Sequence, residues 1–274
     1  MFSSFTFQQR LLATIILSGS VFMLFGLLFT LDHRENLAEQ TIDKHSQALQ
    51  LILHERIKSK EEFGLGLAVM LANNPMISEH LANNARADAL TLLNKITENY
   101  AKTTNYRGLR VQIHTADGRS WLRGWNPDKF GDSLLFRPSI QKIIKERKPF
   151  ASSTETGVFG FAIRGVAPIF HQGEYVGSLE ILQGVGSVSR DFEADGQVYI
   201  MLLKKNLTEN LAELSQNQII ADYQLPNDTW FNQRAIDFAK SLNLNDLTQN
   251  TDGLNTQIND AWVATQSPVI NSLG

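Results

Sequence analysis

Arg123, Arg137 and Arg164, together with Glu155 and Glu180, are the residues of this chain whose chemistry best suits recognition. A guanidinium meets a carboxylate or phosphate through two parallel hydrogen bonds, so an inward-facing arginine suits a small anion. The glutamates open a second reading, in which Arg164 pairs with Glu180 on the adjacent strand, or Arg123 with Glu155, and the charges cancel inside the fold. Unpaired, the glutamates favour an amine instead, and an amino acid offers both charges. Gln112, His114, Trp121, Trp125 and Ser178 complete the candidate set. His114 has no second histidine or carboxylate at metal-ligand spacing, so it is either a hydrogen-bonded structural residue or a ligand contact, and no metal is expected. Trp121 and Trp125 either wall a cavity or fill core. No Gly-x-Ser-x-Gly, P-loop, HExxH or EF-hand pattern occurs, and Gly184-Val185-Gly186 lacks the third glycine of a dinucleotide loop. Neither catalysis nor a cofactor is expected.

Strand parity sorts these residues onto one face, because alternate side chains of a strand point to opposite sides. Val111 and Ile113 oppose Arg110, Gln112 and His114; Phe161 and Ile163 oppose Ala162, Arg164 and Val166; Tyr175, Leu179 and Ile181 oppose Ser178, Glu180 and Leu182. The apolar face should meet a helix. The other should line a cavity, with Trp121, Arg123 and Trp125 joining it.

The elements that would position this face are legible from periodicity. Leu109 to Thr115 and Ser120 to Trp125 flank an Asp117-Gly118 turn, whose central residues favour positive φ. Arg137 to Lys148 reads as a helix with Ile140, Ile143 and Ile144 on one side and Pro138 in its first turn. Strands follow over Phe150–Glu155, Phe159–Phe170 and Tyr175–Gln183. This order, strand, strand, helix, strand, strand, strand, is that of a PAS-like sheet. Upstream, Ile42, Leu49, Ile52, Phe63, Leu67 and Met70 form a helical stripe that Pro75 should end, and Ala85–Ala101 forms a second helix with Leu90, Leu93, Ile96 and Tyr100 on one side. The stripe serves packing on the domain or a contact with a second copy.

Leu11 to Leu31 is an uncharged run of 21 residues, long enough as a helix to cross a hydrocarbon layer of roughly 30 Å. It reads as an anchor rather than a cleaved leader, since no small-residue cleavage site follows. Arg10 leaves the short N-terminus as the cytoplasmic side. Near-neutral composition, with a net charge of −3, argues against a nucleic-acid partner. With no cysteine, disulfide scaffolds, thiolate metal sites and cysteine nucleophiles are excluded.

After Gly184 the composition shifts. Strands are expected over Gln197–Lys204, Gln218–Tyr223 and Ala261–Ile270, and a helix over Asp228–Leu244. Leu109–Gly184 carries ten basic and seven acidic residues, whereas Asn206–Gly274 carries two and eight, so only the first module has a field suited to an anion.

The segments VQIHTADGRSWLRGW (111–125), FGDSLLFRPSI (130–140), IRGVAPIF (163–170) and GEYVGSLE (173–180) resemble the membrane-distal half of a double Cache sensory domain of the third type. The resemblance covers roughly Arg34 to the end and is most like a methyl-accepting chemotaxis protein. It implies an α+β chain: cytoplasmic residues 1–10, a transmembrane helix 11–31, a long helical stalk 32–106, a membrane-distal PAS-like module 107–190 that binds ligand, and a membrane-proximal PAS-like module 191–274. It also implies a homodimer in the bacterial inner membrane, with residues after 31 in the periplasm and a small anionic or zwitterionic ligand. The family pattern leads one to expect a further strand, a second span and a cytoplasmic output region after Gly274, so the second module reads as incomplete.

Overall fold

The computed structural model describes residues 6–104, 109–157, 160–205, 218–226, 232–241, 256–258 and 263–265. The chain divides into two units, Met1–Leu51 with Asn250–Gln266, and Ile52–Gln249 with Ser267–Gly274. The chain is mixed, with helices and antiparallel sheets.

In the first unit, helix α1 (Phe7–Ala72) begins. Its apolar stretch is the one described helix long and apolar enough to cross a membrane, and none of that stretch is buried by protein. Strands β9 (Thr256–Ile258) and β10 (Val263–Thr265) pair antiparallel with each other. Of the expected strand Ala261–Ile270, only β10 falls on described residues.

In the second unit, α1 continues to Ala72 and is followed by α2 (Pro75–Ala82) and α3 (Arg86–Thr103). Helix α1 ends just ahead of Pro75, as its sequence implies, but the Asn73-Asn74-Pro75 sequence also starts α2, a helix the periodicity did not indicate. Asn74 Oδ1 accepts the Met76 N–H at 3.0 Å, and Pro75 occupies a first-turn position where a missing N–H costs nothing.

Five strands form the main sheet: β1 (Arg110–Thr115), β2 (Ser120–Arg123), β3 (Phe150–Gly157), β4 (Gly160–His171) and β5 (Glu174–Gly184). Their order is β2-β1-β5-β4-β3, with every neighbouring pair antiparallel. Helix α4 (Pro138–Glu146) crosses from β2 to β3, with Ile140 and Ile143 fully buried. The β4–β5 connection is a two-residue hairpin in which Gln172 (φ 53) and Gly173 (φ 87) both take positive φ, the geometry whose twist matches paired strands. At the β1–β2 turn Asp117 keeps negative φ and only Gly118 crosses over. Asp117 instead bonds Thr115 Oγ1 and Arg119 Nε with its side chain, as aspartate does in turns.

One sheet face carries the core. Val111, Ile113, Leu122, Ala167, Ile169, Leu179 and Ile181 pack on Leu67, Ala68 and Leu71 of α1, Ile77 and Leu81 of α2, and Ala89 and Leu93 of α3. Each large aliphatic side chain buried there contributes about 1.5–3 kcal/mol. Met70, expected on the stripe, is exposed because Leu67, Ala68 and Leu71 set the buried face. Where α1 crosses β4, Gly64 and Gly165 meet backbone to backbone, and a Cβ on Gly165 would lie 2.2 Å from the Gly64 carbonyl carbon.

Beyond β5 lies α5 (Gly186–Ala194), an element the sequence reading omitted. A three-stranded sheet follows in the order β6-β8-β7, from β6 (Leu203–Lys204), β7 (Ile219–Ile220) and β8 (Tyr223–Gln224), with α6 (Gln233–Ser241). Ile220, Tyr223, Leu225, Ile236 and Ala239 form its core. The strand expected over Gln197–Lys204 shrinks to its last two residues.

Candidate functional site

The face opposite the core gathers charge. Register places Gln112 and His114 of β1 across from Glu180 and Ser178 of β5, and Ser152 of β3 across from Arg164 of β4. Arg137 enters from the start of α4, where its extended backbone (φ −91°, ψ 124°) and the following Pro138 fix the turn.

Arg137 is the centre of the cluster. Its Nη1 and Nη2 donate to Glu180 Oε2 and Oε1 at 3.0 and 2.5 Å, a bidentate pair. Its Nε and Nη2 also donate to Glu155 Oε2 at 3.1 and 2.7 Å. Arg164 Nη1 donates to Glu180 Oε1 at 3.0 Å, and Arg164 Nε lies 3.8 Å from Glu155 Oε2. Glu155 in turn accepts the Ser139 N–H at 2.9 Å and the Ser139 hydroxyl at 2.5 Å, so it holds the first turn of α4 in the place of an N-cap. All four charged side chains are 5% exposed or less, and two guanidinium charges face two carboxylates.

His114 is fully buried beside them. Its Nδ1 is 2.9 Å from Ser178 Oγ, and its Nε2 is 3.4 Å from Glu180 Oε2, near enough for attraction but not aligned as a hydrogen bond. The Ser152 hydroxyl, on the same face as Arg164, is likewise buried without a hydrogen-bond partner among the described residues. A buried polar atom left in this way is uncommon in folded proteins.

Electrostatics follow from this geometry. Burial by itself would raise the Glu180 carboxyl, but Arg137 and Arg164 outweigh it and hold it well below the usual carboxylate range. Burial also opposes charge on Arg137, yet Glu180 and Glu155 prevail and raise it. Arg164 is lowered by burial and then by Arg137, against the pull of Glu180 and Glu155. Burial lowers His114, and Glu180 does not reverse it, so the imidazole is neutral at pH 7.

The remaining sequence-predicted residues bond outside this cluster. Arg123 pairs with Asp132, not with Glu155 as one reading held: Nη1 and Nη2 donate to Asp132 Oδ1 and Oδ2, each at 2.7 Å, and Nη1 to the Lys129 carbonyl at 2.6 Å. This clasp closes the loop between β2 and α4, and it holds the Asp132 carboxyl below its usual range. Gln112 Nε2 donates to Ser120 Oγ at 3.0 Å. Trp121 lies in the core, its Nε1 donating to Asn84 Oδ1 at 2.7 Å. Parity had put it beside Arg123. A register shift, Ile113 opposite Leu122 but His114 opposite Ser120, makes Trp121 an extra residue and turns it to the helix side. Trp125 lines a separate groove of about 270 Å³ with Leu93, Thr97 and Val111, under the Arg110 guanidinium. Tyr175 also departs from parity: after the register shift at Ile169/Phe170 it lies under Arg147, at the end of α4. Sequence reasoning missed Ser139, Ser152 and Asp132. Ser139 carried a signal, a polar residue directly after the helix-starting proline.

A five-stranded antiparallel sheet in this order, with helices on one face and a charged cluster on the other, defines a PAS-like sensory module of the Cache kind. Residues 42–221, more than half of the chain, match the family dCache_3, described as the double sensory domain of two-component sensor kinases, and the chain belongs to that family. No curated protein matches it as a relative. Similar solved structures include the sensory domain of the Campylobacter jejuni chemoreceptor Tlp3 with isoleucine bound, at 15% identity over 83% of this chain and 87% of that one, TM-score 0.45. The ligand-binding domain of the same receptor with L-valine gives 15%, 83%, 87% and 0.46. A domain of a protein assigned to the sensory box/GGDEF family, from Vibrio parahaemolyticus, gives 11% identity over 82% and 89%, TM-score 0.48.

Proposed function

We propose that this chain is the extracytoplasmic input of a single-pass bacterial receptor in the inner membrane, and that the Arg137–Glu155–Arg164–Glu180 cluster binds a small carboxylate-bearing solute. One observation supports this above others: two arginines and two glutamates are buried together on the sheet face away from the core, with the Ser152 hydroxyl beside them lacking a hydrogen-bond partner among the described residues. A cluster of matched charge suits a solute that brings both signs, so an amino acid fits better than a simple organic acid. Its carboxylate would displace Glu180 from Arg164, and its ammonium would take up the glutamate so released. The membrane-distal module 107–190 would then change its arrangement, and α1 would carry the displacement within a homodimer. A ligand shifts such an equilibrium only by its difference in affinity for the two states.

Calorimetry on the full chain in detergent, against the twenty L-amino acids and a set of small organic acids, tests the reading. A binder whose affinity collapses in Arg164→Ala supports it. Absence of any binder, or one indifferent to Arg164→Ala, overturns it. A second reading, docking of a solute-loaded binding protein, draws on Phe130, Leu135 and Phe136, three large exposed apolar side chains just ahead of Arg137. A missing small-molecule binder together with saturable binding of a purified binding protein, abolished by Phe136→Ser, would favour it. Output as a chemoreceptor, a histidine kinase or a diguanylate cyclase is compatible with either reading.

A further inference from the structure

We infer that His114 sets the net charge of the solute this cluster admits: with the imidazole neutral the site takes a solute of no net charge, and a monoanion enters only together with a proton on that ring. The inference deepens the solute-binding reading and rests on it.

Charge balance in this buried cluster decides which solute it can hold. His114 of β1 is faced by Ser178 and Glu180 from β5, Arg164 from β4, Glu155 from β3, and Arg137 with Ser139 from the start of α4. The two guanidinium groups already balance the two carboxylates. A zwitterion leaves that balance intact. A monoanion leaves one negative charge buried and uncompensated, which burial penalises heavily unless a proton arrives with it.

The geometry points to where that proton goes. Arginine stays charged in proteins, so Arg137 and Arg164 have nothing to gain. Glu180 is held ionised by its two arginines, and Glu155 accepts four hydrogen bonds, from Arg137 Nε and Nη2 and from the Ser139 backbone and hydroxyl. Protonating either carboxylate forfeits these bonds. His114 Nε2 makes no well-aligned hydrogen bond among the described residues and already stands 3.4 Å from Glu180 Oε2, so a charge on the ring strengthens an attraction that is in place. Once protonated, the ring would pair with Glu180, and Arg164, which holds Glu180 through Oε1, would be released to the incoming carboxylate. An imidazole is the one group here whose ordinary titration lies near neutrality.

The test is calorimetry on the full chain in detergent with matched probes: each amino acid that binds, and the acid of the same skeleton lacking the ammonium group. Titrations at pH 6, 7 and 8, in two buffers of different ionisation enthalpy, count the protons taken up. The amino acid is expected to bind with no proton uptake and little pH dependence. The matching acid should take up about one proton and lose about tenfold in affinity per pH unit above roughly 6.5. In His114→Gln the acid's proton-linked binding should vanish. Acid binding without proton uptake, equal pH dependence in His114→Gln, or no acid binding at any pH overturns the inference. The proton count is made on the unaltered chain, so it stands even if the variant folds poorly. Proton-free acid binding alongside amino-acid binding that needs Arg164 would sink this inference alone, whereas a panel without any binder removes the site reading with it.

Discussion

Replacing Glu180 by glutamine keeps the shape of the side chain and removes one negative charge from the centre of the cluster. Three charge-assisted hydrogen bonds weaken, two from Arg137 at 3.0 and 2.5 Å and one from Arg164 at 3.0 Å. At about 1.5–3 kcal/mol each these would sum to more than any single substitution normally costs, but glutamine keeps some acceptor capacity and the side chain's own burial penalty falls. What remains is two guanidinium groups against Glu155 alone. Breaking a buried pair in this way typically costs about 3–5 kcal/mol, and that is the expected loss. Arg164→Met alone should cost a similar amount. The double variant Glu180→Gln with Arg164→Met leaves Arg137 opposite Glu155, one charge of each sign, so it should be more stable than the sum of the single losses by about 1–3 kcal/mol. Urea unfolding of the full chain in detergent, followed by near-ultraviolet dichroism, provides the numbers. Single-variant losses under about 1 kcal/mol, or strictly additive ones, would refute the assignment of a mutually neutralising buried network.

Acid should act through two groups, in separate windows. The depressed Glu180 carboxyl contributes stability that is complete above the ordinary glutamate range and is lost as pH falls through its lower native value; the lowered His114 makes stability decline as pH drops below about 6.5, because the unfolded chain then takes up a proton the folded one refuses. An acid titration of unfolding in His114→Gln should therefore be flatter as pH falls below about 6.5. Gly165→Ala, which drives a methyl into the Gly64 backbone, should destabilise by about 1–3 kcal/mol, while Gly66→Ala, with open space around it in the same helix, should stabilise by about 0.5–1 kcal/mol; thermal melts compare them. Asp132→Asn should loosen the loop that Arg123 clasps, read as faster limited proteolysis between residues 124 and 131 with the sheet left intact.

Alternation alone located the face that holds Gln112, His114, Arg164, Ser178 and Glu180, since strands of period two leave little choice once Val111, Ile113, Leu179 and Ile181 must be buried. The order of elements along the chain and the family were likewise legible, because turn residues and several separated segments agree. Trp121 and Tyr175 went to the other side than parity implied, since a single register shift inverts a strand locally and depends on pairing partners that no one strand records. The choice between Glu155 and Asp132 as the partner of Arg123 was also out of reach: Asp132 sits in an irregular loop, whose path is set by tertiary contacts such as the Ser120–Gly131 backbone bond. Arg137 shows a third case. Its residue type suggested recognition, and its place as the residue preceding a helix-starting proline supplied the position.

The glycine pair at the crossing of α1 and β4 constrains how the helix can move. Gln183 Nε2 reaches the Lys60 carbonyl at 2.7 Å one turn away, and Lys60 Nζ holds Asp191 of α5 at 2.7 Å. A Cβ at position 64 would stand 3.5 Å from the Gly165 nitrogen but 2.9 Å from Gln183 Nε2, so a full-turn advance that brought Ala68 there would press on the Gln183 side chain and break its bond to the Lys60 carbonyl. Small rocking is the motion that keeps both the Gly64–Gly165 contact and the Gln183–Lys60 bond. Arg164, the residue before Gly165, points away on the far side of the same strand, so the charged cluster and the helix crossing share one stretch of β4. The absence of native cysteine allows pairs introduced across the crossing to report the rocking without interference.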